Sequence, residues 1–454
     1  MQRISTYQRT VWVVLAGADA FALAVAGLLA HWIRFPDNLA ATELRALAAH
    51  PGFILYAVVA LWCLGVAFDL YQPENWRSRE QLLVRLLAVA LTLPVALAIG
   101  DYVVPHWRWG RGLLALTVIA TVLGQGVIRR LWQAFARRPP GRTALVVGDG
   151  PIVGALVRQL DELPSPPFAI VRHLPENGAA DQRPAVPPSP SDEDLQSADV
   201  VIVASVLDDR TADRLAQLNF RGTAVLDAAG VYAALTGRIP VLQVNSRWFI
   251  ASGDFSSLAS SPFHRLQRLV DLAAAAVLLV LSSPVLVVAA VAIRLTGGGP
   301  VLYRQTRLGR HREPFTLIKL RTMANGAETS GPTFTEPSDT RVTRIGRVLR
   351  RWRIDELPQL VNVLKGEMSL VGPRPERPEV ADRLEKAIPF FTFRYSVRPG
   401  ITGWAQVNLP YCAEPDDHRA KLEYDLYSLR HHGPGMYGLV MLRTLGALVF
   451  QPGR

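Results

Sequence analysis

Between residues 341 and 375 the sequence crowds cations against a pair of acids. Arg341, Arg344, Arg347 and Arg350 recur every third residue, Arg351 and Arg353 extend the cluster, and isoleucine, valine and leucine fill other positions. On a helix this spacing makes a cationic stripe. The stripe runs directly into Asp355-Glu356-Leu357-Pro358. Proline fits the first turn of a new helix, where its missing N–H is no loss. Carboxylates at a helix start stay ionised, because the dipole and the free N–H groups favour the anion. Such a pair can hold Mg2+, or one member can attack phosphorus. The plain alternative is structural, with Asp355 an N-cap and Glu356 a first-turn residue.

Three further motifs surround the acids. Lys319-Leu320-Arg321-Thr322-Met323 precedes them, and Gly372-Pro373-Arg374-Pro375 and Arg398-Pro399-Gly400-Ile401-Thr402-Gly403-Trp404-Ala405-Gln406-Val407-Asn408 follow. With these the chain resembles the bacterial polyprenyl-phosphate glycosyl-1-phosphate transferases, the membrane sugar transferases that start exopolysaccharide and O-antigen assembly. The resemblance covers roughly His264 to Phe450, and the last two motifs are long and specific. It implies transfer of a hexose 1-phosphate from a UDP-sugar to undecaprenyl phosphate through an aspartyl-phosphosugar. Within it Asp355 is the nucleophile and Glu356 its partner around Mg2+. It further implies substrate contacts from Lys319, Arg321, Arg350, Arg374, Arg398 and Asp425, and a break at Ser283-Pro284 in a re-entrant membrane helix. Leu320 and Thr322 depart mildly from the family's basic motif. Five cations suit the chemistry, since several phosphate charges must be neutralised. His418, His431 and His432 read as surface residues.

The elements that must hold this site follow from composition. The chain has 454 residues, half of them hydrophobic, with only 19% charged and a net charge of +11. Those values exclude a disordered chain and argue against a purely soluble enzyme. Cys63 and Cys412 are the only cysteines, which excludes a disulfide framework and a thiolate zinc site. Apolar runs at 11–33, 52–68, 86–100 and 112–128 predict a four-helix transmembrane domain over residues 1–139. Asp19 in the first run objects mildly. Arginines at the N-terminus, in the second loop and after the fourth run place both ends of this bundle in the cytoplasm.

Residues 140–250 predict a cytoplasmic α/β domain of Rossmann-like type. Its strand 143–147 leads into Gly148-Asp149-Gly150-Pro151-Ile152-Val153-Gly154, a weak phosphate-binding spacing. The second strand runs into Arg172-His173 where a ribose-binding carboxylate belongs, so a role in assembly or regulation without cofactor is expected, with a homodimer as one form of it. Residues 260–454 predict a mostly α monotopic catalytic domain. Its apolar run 272–293 is flanked by arginines on both sides, and Ser282-Ser283-Pro284 sits midway. A re-entrant helix over 266–296 in the inner membrane satisfies both facts.

Two rivals remain. A membrane-tethered nucleotide-sugar dehydratase or epimerase needs Tyr-x-x-x-Lys, and no tyrosine here has lysine four residues on. A noncatalytic scaffold that recruits polysaccharide enzymes is separated from the enzyme by a UMP-release assay. Nucleic acid is not an expected partner, because the arginines adjoin apolar runs rather than interleaved aromatics.

Overall fold

A computed structural model describes residues 2–34, 51–71, 79–104, 111–135, 143–148, 151–162, 168–174, 198–204, 209–252, 255, 258, 263–297, 299–324, 341–409 and 415–450. The described chain is mostly helical and divides into two compact units, Met1–Thr236 and Gly237–Arg454. Among the described residues four helices are long and apolar enough to cross a membrane, three of them in the first unit and the fourth in the second. The chain is a membrane protein by that measure.

In the first unit the predicted runs become the helices Gln2–Arg34, Pro51–Ala67, Arg79–Val103 and Arg111–Phe135. Pro51–Ala67 has 17 residues, about 26 Å of helix, short of the hydrocarbon thickness by a few ångströms. The objection raised by Asp19 is answered inside the bundle. Its carboxylate accepts from both terminal nitrogens of Arg129, from Gln125 Nε2 at 3.0 Å and from the Tyr71 hydroxyl at 3.0 Å. Asp19, Gln125 and Arg129 are fully buried. The charge is thus neutralised where lipid could not solvate it.

The middle of the chain forms a parallel sheet in the order β2-β1-β3-β4, from Ala169–Leu174, Thr143–Val147, Val200–Val203 and Ala224–Asp227. Leu145, Val147, Val201 and Leu215 form its core. Four short strands are fewer than a full dinucleotide fold uses, so the Rossmann-like expectation reduces to a small α/β sheet. Gly148 has φ 102°, the left-handed backbone a turn after β1 needs. A Cβ on Gly154 would meet nothing within 4 Å, so helix–strand packing does not demand glycine there. Asp149, Gly150 and the proline-rich stretch lie outside the described residues.

The second unit is built around the 35-residue helix Phe263–Gly297. Ser283-Pro284, the expected break, lies inside this one helix, where the ladder loses a bond. Pro284 cannot donate to the carbonyl of Val280, and the Ser283 hydroxyl donates there instead at 2.7 Å. Both halves of the helix pack on one fold. Ala275 joins Leu317, Leu360 and Met368, while Ala289 and Ile293 join Leu320 and Leu349. Val280, Leu281, Val287 and Val288 between and beside these contacts are exposed. Residues 237–251, predicted to belong to the middle domain, pack in this unit: Ile239 N–H donates to Glu423 O, and Phe249 packs on Phe390 and Phe393.

Candidate active site

The antiparallel pair β5 (Leu302–Leu308) and β6 (Pro314–Leu320) carries Lys319 near the end of β6. Asn362 sets that strand against the helix Gln359–Lys365. Its amide donates to Thr316 O at 2.7 Å and its carbonyl accepts from Ile318 N–H at 3.2 Å. The chain then reaches the helix Arg344–Arg351, capped by Thr343 Oγ1 on Gly346 N–H at 2.9 Å. Gly346 is required by close approach, since a Cβ there would lie 2.0 Å from Thr322 O. Arg350 Nε donates to Thr322 Oγ1 at 2.9 Å, tying the cationic helix to the end of the basic motif.

Asp355 and Glu356 occupy a 3-10 turn, Ile354–Glu356, just ahead of the Gln359–Lys365 helix. Arg353 enters it in the left-handed conformation, φ 53°, which turns the chain sharply from one helix to the next. Both carboxyls are buried, and their surroundings differ. Glu356 Oε1 accepts from Arg374 Nη2 at 2.6 Å, and Arg353 Nη1 lies 3.8 Å from Oε2. Among the described residues no donor reaches the carboxylate of Asp355.

The electrostatics follow from these partners. Burial and the neighbouring Glu356 push the Asp355 carboxyl above its ordinary range, against the pull of Lys319, Arg350 and Arg374. Burial also acts to raise Glu356, but Arg374 and Lys319 overcome it and hold this carboxyl well below the usual range. Burial, aided by Arg374, lowers the Lys319 ammonium to about 8. One acid is therefore locked as a counter-ion, and the other is an unbonded carboxyl in a cationic setting.

The structure brings Lys319, Arg350, Arg374, Asp355 and Glu356 together. Arg321 follows Lys319 at the strand end and is buried. Asp425 and Arg398, also expected to meet substrate, have partners outside this group. Asp425 is 1% exposed and bonds Arg394 Nη2 at 2.8 Å. Arg394 also donates to Arg374 O at 2.9 Å and pairs with Glu376, which Lys421 bonds as well. Asp425 thus anchors the backbone of Arg374 through Arg394. Arg398 Nε donates to Gly366 O at 2.9 Å, just past the C-terminal end of the Gln359–Lys365 helix, whereas the dyad precedes its start. His418, read as a surface residue, is buried beside Lys421 and Glu376. His431 is exposed, while His432 is half-buried against His264.

Sequence reasoning missed Glu376, Arg394 and Lys421. One signal was available: Arg394 stands in Phe391-Thr392-Phe393-Arg394-Tyr395, where a lone cation among aromatics has to find a buried acid.

Comparison with known proteins places these residues in a family. Residues 263–451 match the family described as bacterial sugar transferase. An Aeromonas hydrophila UDP-N-acetylgalactosamine-undecaprenyl-phosphate N-acetylgalactosaminephosphotransferase is 37% identical over 253 residues, 55% of this chain and 58% of that protein. A Caulobacter vibrioides UDP-glucose:undecaprenyl-phosphate glucose-1-phosphate transferase is 50% identical over 141 residues, 31% of this chain and 53% of that protein. A Bacillus subtilis putative undecaprenyl-phosphate N-acetylgalactosaminyl 1-phosphate transferase is 47% identical over 129 residues, 28% of this chain and 72% of that protein. The chain belongs to the bacterial sugar transferase family. It spans a little over half the length of the first two relatives it matches.

Proposed function

We propose that this chain is a phosphoglycosyl transferase that moves a hexose 1-phosphate from a UDP-sugar to undecaprenyl phosphate, releasing UMP. The observation that carries this reading is the inequality of the two acids. Glu356 is held by arginine, while among the described residues Asp355 beside it has no donor and is ringed by Lys319, Arg350 and Arg374. A carboxylate so placed is a nucleophile for phosphorus. In the first displacement an Asp355 oxygen bonds to the β-phosphorus of the donor and the bond to the bridging oxygen breaks, so UMP leaves with that electron pair. In the second, an oxygen of the lipid phosphate attacks the same phosphorus and Asp355 departs as carboxylate. Lys319, Arg350 and Arg374 neutralise the phosphoryl oxygens through both steps, and the first displacement adds no new charge that they do not face.

Mg2+ fits the donor set, because this ion uses one or two protein carboxylates together with substrate phosphates. Asp355 supplies an unbonded carboxylate for it, with Glu356 adjacent. Bound there, the ion would lower the charge on the diphosphate.

The same reading places the catalytic unit on the cytoplasmic face of the inner membrane, with Phe263–Gly297 re-entrant. Supporting it, Ala275 and Ala289 are 14 residues apart, about 21 Å of straight helix, yet both pack on one fold that a span would leave on one side. The small α/β sheet then serves assembly, through a pair of copies, without a dinucleotide. A panel of UDP-sugars tested with undecaprenyl phosphate, scored by UMP release, decides the function. Lipid-dependent UMP from at least one hexose donor is expected, and none from any donor would refute it.

A further inference from the structure

A second group of cations lies at the far end of the Gln359–Lys365 helix from the dyad. Arg268 donates to Val363 O at 2.6 Å and to Leu364 O at 3.0 Å, and Arg398 Nε donates to Gly366 O at 2.9 Å. Arg310 Nε donates to Ser396 O at 3.2 Å, two residues before Arg398. Three guanidinium groups from three separate segments are thereby fixed close enough for Arg268 and Arg310 both to act on Arg398. Each is held through main-chain carbonyls, which fix its position without cancelling its charge. The acid that acts on Arg398, Asp271, is 2% exposed and its Oδ1 is already taken by Leu370 N–H at 3.0 Å and the Tyr437 hydroxyl at 2.8 Å, while the neighbouring Glu367 is bonded by Asn362. Among the described residues, no acceptor bonds the terminal nitrogens of Arg310 or Arg398. Burial, and then Arg268 and Arg310, lower the Arg398 guanidinium.

Capping the helix C-terminus explains one arginine, or two. It does not explain Arg310, which touches no helix carbonyl of that element. The position on the fold supplies the rest. Arg268 sits in the first turns of Phe263–Gly297, and its neighbours Leu266, Leu269 and Val270 are exposed, at 53%, 65% and 41%. The cations therefore border the apolar face by which this helix meets lipid. A fork of guanidinium nitrogens at that depth matches a phosphate group whose hydrocarbon lies along the apolar face.

We propose that Arg268, Arg310 and Arg398 form a binding site for the phosphate headgroup of a membrane lipid, separate from the Asp355–Glu356 site. Two sources share that chemistry: polyprenyl phosphate docked here before its phosphate moves to the dyad, and an ordinary anionic phospholipid. The first rests on the transferase reading above, whereas the site itself does not, and binding is therefore measured without turnover.

The test uses the full chain in nanodiscs of zwitterionic lipid, doped with undecaprenyl phosphate, with phosphatidylglycerol, or with undecaprenol lacking the phosphate. Bound lipid is counted by native mass spectrometry. Arg398→Gln should raise the half-saturating content of a phosphate lipid about tenfold, the effect of losing one charge-assisted contact. Arg310→Gln should act in the same direction and spares the helix cap, so it tests the site if Arg398→Gln fails to fold. A loss confined to undecaprenyl phosphate assigns the site to docking of the acceptor before transfer. A loss confined to phosphatidylglycerol, or shared by both, assigns it to bulk anionic lipid. Unchanged binding of both phosphate lipids, or an equal loss of undecaprenol, overturns the proposal.

Discussion

Arg374 holds Glu356 from one end and is itself held from the other. Its Nη2 lies 2.6 Å from Glu356 Oε1, and its main-chain oxygen accepts from Arg394 Nη2 at 2.9 Å. The counter-ion of the dyad is thus fixed by a buried ion cluster rather than by its own flexible side chain. Replacing it by Lys keeps the charge and loses the planar fork. Arg374→Lys should lower kcat/KM for the UDP-sugar by roughly 10²-fold, and Arg374→Gln by more. Equal activity in all three proteins would remove Arg374 from the site.

The cluster behind it carries its own prediction. Asp425 and Arg394 are both nearly inaccessible, so removing one partner strands a buried charge. Asp425→Ala should cost about 3–5 kcal/mol, visible as a lower melting temperature. The remaining folded enzyme should lose kcat through the displaced Arg374. If Asp425 met substrate instead, Asp425→Ala would keep its melting temperature and raise KM.

How far the sequence alone reached can be judged from these residues. The dyad, Lys319, Arg350 and Arg374 were legible because they lie in short, dense motifs whose chemistry is local. Arg398 and Asp425 lie in equally clear motifs, yet their partners Gly366 and Arg394 are 32 and 31 positions away. Spacing cannot show which way a side chain turns. The helices of the first unit were read from apolar length alone. Their lock, Asp19 to Arg129, joins residues 110 apart and looked like a defect in a span. Pro284 shows a third case. Its missing N–H predicted a break; the residues on both sides are helical, and the Ser283 hydroxyl bonds the carbonyl that the proline leaves vacant.

The two shifted groups predict a bell-shaped pH profile for kcat/KM. Asp355 must be ionised to attack, and burial beside Glu356 raises its pKa. Activity is therefore lost as pH falls, at a higher pH than an ordinary aspartate would set. Lys319 must be protonated to meet phosphate, and burial lowers it to about 8, so activity falls again as pH rises through that value. Lys319→Arg should move the alkaline limb upward, because arginine stays charged. A wild-type profile flat from about pH 5 to about pH 9 would contradict both assignments.

Topology is tested by labelling. Single cysteines near Arg265 and near Arg310 should both be shielded from an impermeant thiol reagent outside intact cells. Reaction at the Arg310 position alone would establish a spanning helix. Pro284→Leu restores the N–H donor, and should favour a straight helix and expose the downstream position.

The most direct measurement concerns Asp355 itself. Wild-type enzyme given a UDP-sugar labelled at the β-phosphate, without lipid, should release at most about one UMP per active site and then stop. The label should remain on the protein and leave when undecaprenyl phosphate is added. Asp355→Asn, which keeps shape but removes the attacking anion, should give neither the burst nor the labelled protein. An active wild-type enzyme that releases no UMP and takes up no label until lipid is present would mean a single direct displacement, and would contradict the nucleophile assigned here.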